Sequence, residues 1–267
     1  AFLNAMISFT SSQLSLWLAT LIFPMARILA LLASAPVFGN RQVPARLKVG
    51  FAVILTIVIA PTITIPPDLD PASAQGLFVL GQQIIAGLMM GFTLRMVFSA
   101  IEMAGDLAGM QMGLGFASFF DPVNASFTPV IAQFLGILTA LAFLALDLHL
   151  YMLAALADSF QSFPISTAQP SALGFRTLAE WGGSIFAFAL QLALPLIAAL
   201  LITNLALGIL TRSAPQLNIF AVGFPITLAV GFGALALILP FLAPLIDFFT
   251  HQALDTVGRI MLELGRP

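Results

Sequence analysis

Between Arg212 and Asp247 no side chain carries a charge. An uncharged run of that length has few homes in a folded protein. A membrane-spanning helix needs about 20 mostly apolar residues to cross the hydrocarbon layer, and this chain offers six gaps of that kind. Residues 14–38 are apolar apart from Arg27; residues 49–67, 71–94, 122–146, 181–211 and 213–246 contain no Asp, Glu, Lys or Arg. The residues inside the gaps decide helix over strand. Stretches such as FAVILTIVIA and LPLIAALLITNLALGIL are continuously apolar, whereas barrel strands alternate apolar and polar side chains with a period of two. The expected fold class is all-α: a polytopic membrane protein of about six apolar helices. Composition agrees, with 60% hydrophobic and 7% charged residues, against about 25% charged in an ordinary soluble domain.

The connections suggest an arrangement. GNRQVPARLK carries Arg41, Arg46 and Lys48 with no acid, and PPDLDPA carries Asp68 and Asp70 with no base. By the positive-inside rule the first loop faces the cytoplasm. The N-terminus, the C-terminus and the loop holding Asp68 and Asp70 then face the other side, and Arg212 the cytoplasm. Thr128-Pro129 reads as a cap followed by a first-turn proline, and Pro195, Pro225, Pro240 and Pro244 are expected to kink the last two segments. No basic stretch precedes the first apolar run, so no cleavable signal peptide is expected. No sequence repeat stands out. The polar-leaning stretch 158–180 reads as an external loop between a four-segment part and a two-segment hairpin.

Several chemistries are poorly supplied. A formal charge of -2 from nine basic and eleven acidic residues gives no overall footprint for DNA, RNA or anionic lipid. With no cysteine and only His149 and His251, no cluster with metal-ligand spacing is visible and no cofactor is expected. No glycine run ends in the Gly-Lys-Ser/Thr of a phosphate loop. Ser118 has no histidine partner in its own segment, as an activated serine would need. The chain is read as a non-enzyme.

Charges in or beside apolar segments have two readings. Arg27, Arg95, Glu102 and Asp106 could form a proton or ion relay, since intramembrane ionisable groups default to function. For Arg27 and Arg95 the favoured reading is interfacial snorkelling or a structural ion pair. Glu102 and Asp106 share one helix face and suit the solvated mouth of a pore.

The run GMQMGLGFASFFDP, residues 109–122, combines flexibility with bulk. Gly105, Gly109 and Gly113 recur every four residues, a stripe against which another helix can pack closely; Gly87 and Gly91 repeat it upstream. Gly113 and Gly115 then loosen the backbone ahead of Phe116, Phe119 and Phe120, and Asp121-Pro122 discourages the helix from continuing. On physical grounds this is either a tight turn with packed phenylalanines or an apolar plug. Such a constriction closes a pore by dewetting, with pliable Met110 and Met112 letting it deform.

SAPVFGNRQVPARLKVGFAVILT, GMQMGLGFASFFDP and DLHLYMLAALADSFQSFPI together closely resemble the FliR family, the export-gate membrane subunit of the flagellar type III secretion apparatus. The resemblance covers nearly the whole chain, with one local departure at Asp147-Leu148-His149-Leu150, where flagellar members often have Gly-His-Leu. It implies a FliP-like part over residues 1–160 with a pore loop near 109–122, an external connecting loop at 161–180, a FliQ-like helical hairpin at 181–247 and a C-terminal tail at 248–267. It also implies a helical ring with FliP-like and FliQ-like subunits, wrapped by an FlhB-like subunit. The ring would sit in the inner membrane at the flagellar basal body, partly on the periplasmic side. In that setting Met110, Met112, Phe116, Phe119 and Phe120 form the gasket that unfolded exported proteins must pass. Gly105, Gly109, Gly113, Gly115 and Pro122 would supply hinge and packing, with Glu102 and Asp106 at the mouth. A small-molecule or ion secondary transporter is the competing class, kept open by the internal prolines; a purely structural scaffold subunit is a third.

Overall fold

The computed structural model describes residues 11–67, 69–116, 129–214 and 219–266, without the side chains of residues 11–14, 116, 219 and 220. The described residues are all-helical with no strand. Among the described residues eight α-helices follow in order: α1 (Ser11–Ser34), α2 (Ala45–Ile59), α3 (Ala74–Gln111), α4 (Val130–Ala145), α5 (Leu148–Ser162), α6 (Ala172–Gly182), α7 (Ser184–Ser213) and α8 (Ile219–Leu264). Short 3-10 turns occupy Ala60–Thr62 and Leu114–Phe116. Among the described residues five helical stretches are long and apolar enough to cross a membrane, and a sixth arises if α4 and α5, bent by 68° at their junction, count as one span. The expectation of about six apolar helices is met.

The ends of the helices differ from the charge gaps, for a physical reason. A charged side chain costs energy in hydrocarbon but does not stop a helix, so hydropathy marks the lipid-compatible part of a helix and not its length. α3 runs 38 residues, about 57 Å at 1.5 Å per residue, through Arg95, Glu102 and Asp106. α8 runs 46 residues, about 69 Å, through Pro225, Pro240 and Pro244 and on into residues 248–264, read from sequence as tail. Both exceed a hydrocarbon layer of about 30 Å. The stretch read as an external loop is helical at both ends, because α5 extends to Ser162 and α6 starts at Ala172. Pro129 stands at the N-cap of α4, where no side chain caps the helix, one position earlier than the first-turn placement expected; Thr128 lies outside the described residues.

The chain forms two compact units that interleave along the sequence. The first comprises residues 1–95, 150–179 and 254–267; the second comprises 96–149 and 180–253.

In the first unit, glycines set the spacing of α1 and α3. A Cβ at Gly87 would meet the Arg27 carbonyl oxygen and lie 2.8 Å from the Ala30 Cβ; one at Gly91 would meet Ser34 Oγ and lie 2.8 Å from the Ala35 nitrogen. The small-residue stripe read from sequence is therefore helix packing here. Arg27 is not at an interface: it is completely buried. Its Nε donates to Gln83 Oε1 at 2.9 Å, Nη1 to the Ser159 carbonyl at 2.8 Å and Ser159 Oγ at 3.1 Å, and Nη2 to Gln83 Oε1 at 2.5 Å and the Phe163 carbonyl at 2.8 Å. The guanidinium lies 4.2 Å from the centroid of the Phe160 ring. This corrects the snorkelling and ion-pair readings. The group is satisfied by neutral acceptors and an aromatic face, and it ties α1 to α3 and to the end of α5. The last turn of α8 is also held in this unit: Thr177 Oγ1 donates to Glu263, and the Ser171 N–H donates to the Leu264 carbonyl at 3.1 Å.

In the second unit, Gly105 meets α4 backbone to backbone, a Cβ there falling 2.6 Å from the Ala132 Cα. Phe98 packs edge-on against Phe143 with ring centroids 5.6 Å apart, and Phe188 stacks on Phe249 at 4.0 Å. Asp147, with φ 56°, follows the C-cap residue Leu146. A left-handed residue just past a helix end is a common terminator, and Asp tolerates that conformation better than most. The departure from the family pattern thus coincides with the corner between α4 and α5.

Candidate functional site

The last turns of α3 lead into the glycine-phenylalanine run. Helix geometry places Glu102, Asp106, Gly109 and Met110 on successive turns, and their surroundings differ. Glu102 is exposed, and its carboxylate lies against Gly136 of α4, where a Cβ would stand 3.1 Å from Glu102 Oε1. Asp106 is half-buried, with Oδ1 shielded from solvent and unpartnered among the described residues. Gly105 permits the contact with Ala132, whereas Gly109 has space, its nearest neighbour being Ile131 Cγ1 at 3.8 Å from an ideal Cβ. The glycine stripe therefore packs at one position and is loose at the next.

Helix α3 ends by bonding back on itself. The Met112 N–H donates to the Ala108 carbonyl at 2.9 Å, and the Gly113 N–H to the Met110 carbonyl at 3.0 Å. Gly113 takes φ 84°, open to glycine and strained for residues with a side chain. A single 3-10 turn, Leu114–Phe116, follows.

The two methionines part company at this turn. Met110 is 55% exposed and Met112 is fully buried. Met112 lies against Gly231 of α8, where a Cβ would come within 2.5 Å of Met112 Cγ, and its carbonyl oxygen accepts from Thr227 Oγ1 at 3.4 Å. Sequence reasoning missed this pairing, because Met112 and Gly231 belong to segments far apart in the chain. Beside the turn opens an apolar cleft of about 420 Å³, walled by Leu114, Val130, Ile131 and Phe134 on one side and by Phe232 and Leu239 on the other.

Of the remaining candidates, Gly115 lies within the 3-10 turn and Phe116 closes it, with the Phe116 side chain not described. Phe119, Phe120 and Pro122 lie outside the described residues. Among the described residues no three His, Cys, Asp or Glu side chains gather as a metal site.

Comparison with known proteins places this chain in a family. The family model for bacterial export proteins, family 1, matches residues 18–253. The flagellar biosynthetic protein FliR of Pectobacterium carotovorum subsp. carotovorum is 44% identical over 261 residues, covering 97% of this chain and 99% of that protein. FliR of Escherichia coli (strain K12) is 40% identical over 259 residues, with 97% and 99% covered. FliR of Bacillus subtilis (strain 168) is 30% identical over 242 residues, with 90% and 93% covered. On these matches, which run almost from end to end, the chain belongs to the FliR family of bacterial export proteins.

Proposed function

We propose that this chain is a channel-forming subunit of the flagellar type III protein export gate, assembling with FliP-like and FliQ-like subunits and an FlhB-like subunit. Unfolded flagellar proteins cross the inner membrane through that channel. The observation that carries the reading is the end of α3: a tightly packed helix at Gly105 gives way within eight residues to a left-handed glycine at 113, directly ahead of a phenylalanine cluster. A seal of this kind needs bulk to exclude water and ions, and a yielding backbone to let a polypeptide pass. The chain makes and breaks no covalent bond in this role. The lengths of α3 and α8, both well beyond the bilayer thickness, support an assembly that stands partly on the periplasmic side. A secondary transporter finds no support in the relatives described above.

The test is the seal. Burying one phenylalanine is worth about 1.5 to 3 kcal/mol, so replacing Phe116, Phe119 and Phe120 together with alanine should destabilise the closed channel by several times that. Ion leakage across the inner membrane should rise at matched complex yield, with export of a flagellar substrate measured in parallel. Unchanged leakage in an intact complex would demote these residues to ordinary packing. Assembly through the 181–247 hairpin is tested at Gly233, which has open space around it: Gly233→Leu should lower co-purification of the FliP-like subunit while leaving the chain itself folded. Orientation is tested with single cysteines at Gln42 and Asp70, both exposed. Equal labelling of the two by an impermeant thiol reagent in spheroplasts would overturn it.

A further inference from the structure

The turn between α1 and α2 carries a concentration of positive charge that the whole-chain balance averages away. Residues 39–48 hold Arg41, Arg46 and Lys48, the chain's single lysine, and no acid. Arg41 and Arg46 are exposed and Lys48 partly so.

The turn is built around a strained backbone. Val37 has φ 64°, a region that β-branched residues avoid. The Phe38 N–H donates across it to the Pro36 carbonyl at 2.7 Å, the pattern of the rare strained γ-turn. At Gly39 a Cβ would fall 2.6 Å from the Ala35 carbonyl oxygen, so the chain folds back tightly. Asn40 then closes the turn and holds Lys48, its Oδ1 accepting from the Gln42 N–H at 3.0 Å and its carbonyl from Lys48 Nζ at 3.1 Å. Strain held in place by its surroundings points to a task. Its local result is the position of Phe38, whose ring stacks on Phe51 with centroids 5.9 Å apart and planes 15° apart.

Around that stack lies an apolar cleft of about 230 Å³, lined by Leu32, Phe38, Val43, Leu47, Lys48 and Phe51. It sits where two apolar spans end, one closing at Ser34 and the other opening at Ala45. An apolar track leads away from it along α2, where Leu47, Ile54, Ile57 and Val58 are each at least 60% exposed.

A free phosphate would use the charges and leave the cleft empty, and an uncharged acyl chain would use the cleft and ignore the charges. A lipid with a negative headgroup uses both, because basic residues at the end of a spanning helix attract anionic headgroups. We propose that this cleft binds an anionic phospholipid, an acyl chain lying over the Phe38–Phe51 stack and the headgroup phosphate beside Arg41, Arg46 and Lys48. This site is separate from the proposed seal and does not depend on it.

The experiment uses the full chain purified in its membrane complex and reconstituted in phosphatidylcholine bilayers containing a minor share of lipid with a photoactivatable acyl chain. Photoactivatable phosphatidylglycerol should label peptides containing Phe38 and Val43 to Phe51 several-fold more than photoactivatable phosphatidylcholine does. Arg46→Gln and Lys48→Gln should each reduce the phosphatidylglycerol labelling by up to about fivefold, and Lys48→Arg should largely retain it. Val43→Trp, which fills the cleft and spares every charge, should abolish it. Equal labelling by the two lipids, or labelling indifferent to both charge and Val43→Trp, would overturn the proposal. Competition by inorganic phosphate at physiological salt would also overturn it, in favour of a free anion site.

Discussion

Arg27 and Asp106 are both ionisable residues inside long apolar helices, and the protein houses them in opposite ways. All the guanidinium N–H groups of Arg27 are engaged, by acceptors drawn from α3, α5 and the segment that follows, and Gln83 Nε2 is the one buried polar atom of that network without a partner among the described residues. Around Asp106 a carboxylate oxygen finds no partner among the described residues, the next glycine along has room to spare, and the helix dissolves into a left-handed turn. Several bonds to one planar guanidinium fix a single geometry. The first region has the construction of a fixed frame, and the second is the more loosely packed end of its helix.

The largest expected effect comes from breaking the frame. Arg27→Ala strands Gln83 Oε1 and the Phe163 carbonyl in a dry interior, while the Ser159 carbonyl keeps the Phe163 N–H, and uncompensated buried polar groups cost about 1 to 3 kcal/mol each. The loss should be enough to abolish accumulation of folded protein, read as the monodisperse fraction in detergent. Arg27→Lys should fall between, because an ammonium cannot reproduce the planar fork that reaches Gln83, Ser159 and Phe163 together. If Arg27→Ala accumulates like the parent, the contrast fails.

A finer test lies within the glycine stripe. Gly105→Ala places a methyl into the α4 backbone and should destabilise by about 1 to 3 kcal/mol, as overpacked cores do. Gly109→Ala meets nothing closer than 3.8 Å and should be neutral or stabilising by up to about 1 kcal/mol, the helix propensity of alanine over glycine. Retention of the complex after heating ranks the two; equal losses would mean that Gly109 is as tightly packed as Gly105.

Smaller still is the corner at Asp147. Asp147→Val should cost about 1 to 2 kcal/mol, because a left-handed conformation is unfavourable for residues with a branched Cβ, while Asp147→Gly should be near neutral. The smallest effect is expected for the exposed pair His251 and Asp247, 3.5 Å apart. Asp247→Asn should change thermal retention by less than the error of the Asp147 series, since exposed pairs contribute little.

The legibility of this chain divides along the same lines. The glycine spacing at 87 and 91 was readable because a four-residue period puts both on one helix face, and α1 does pack there. The acceptors of Arg27 were not, because Gln83 and Ser159 lie 56 and 132 residues away from it and nothing in local sequence marks them. Met110 and Met112 look alike in sequence. Only their directions off the last turn of α3 send one to the surface and the other against Gly231.

Membrane residence, helical class and the number of apolar segments follow from sequence alone, because an uncharged backbone in hydrocarbon has to bond to itself and a helix does so within one segment. Where α3 and α8 end was decided by tertiary structure. Once a helix leaves hydrocarbon, its length is set by what it packs against: Ala132 against Gly105, and Gly174 of α6 against Leu264. Those contacts join residues too distant in sequence for any local pattern to announce.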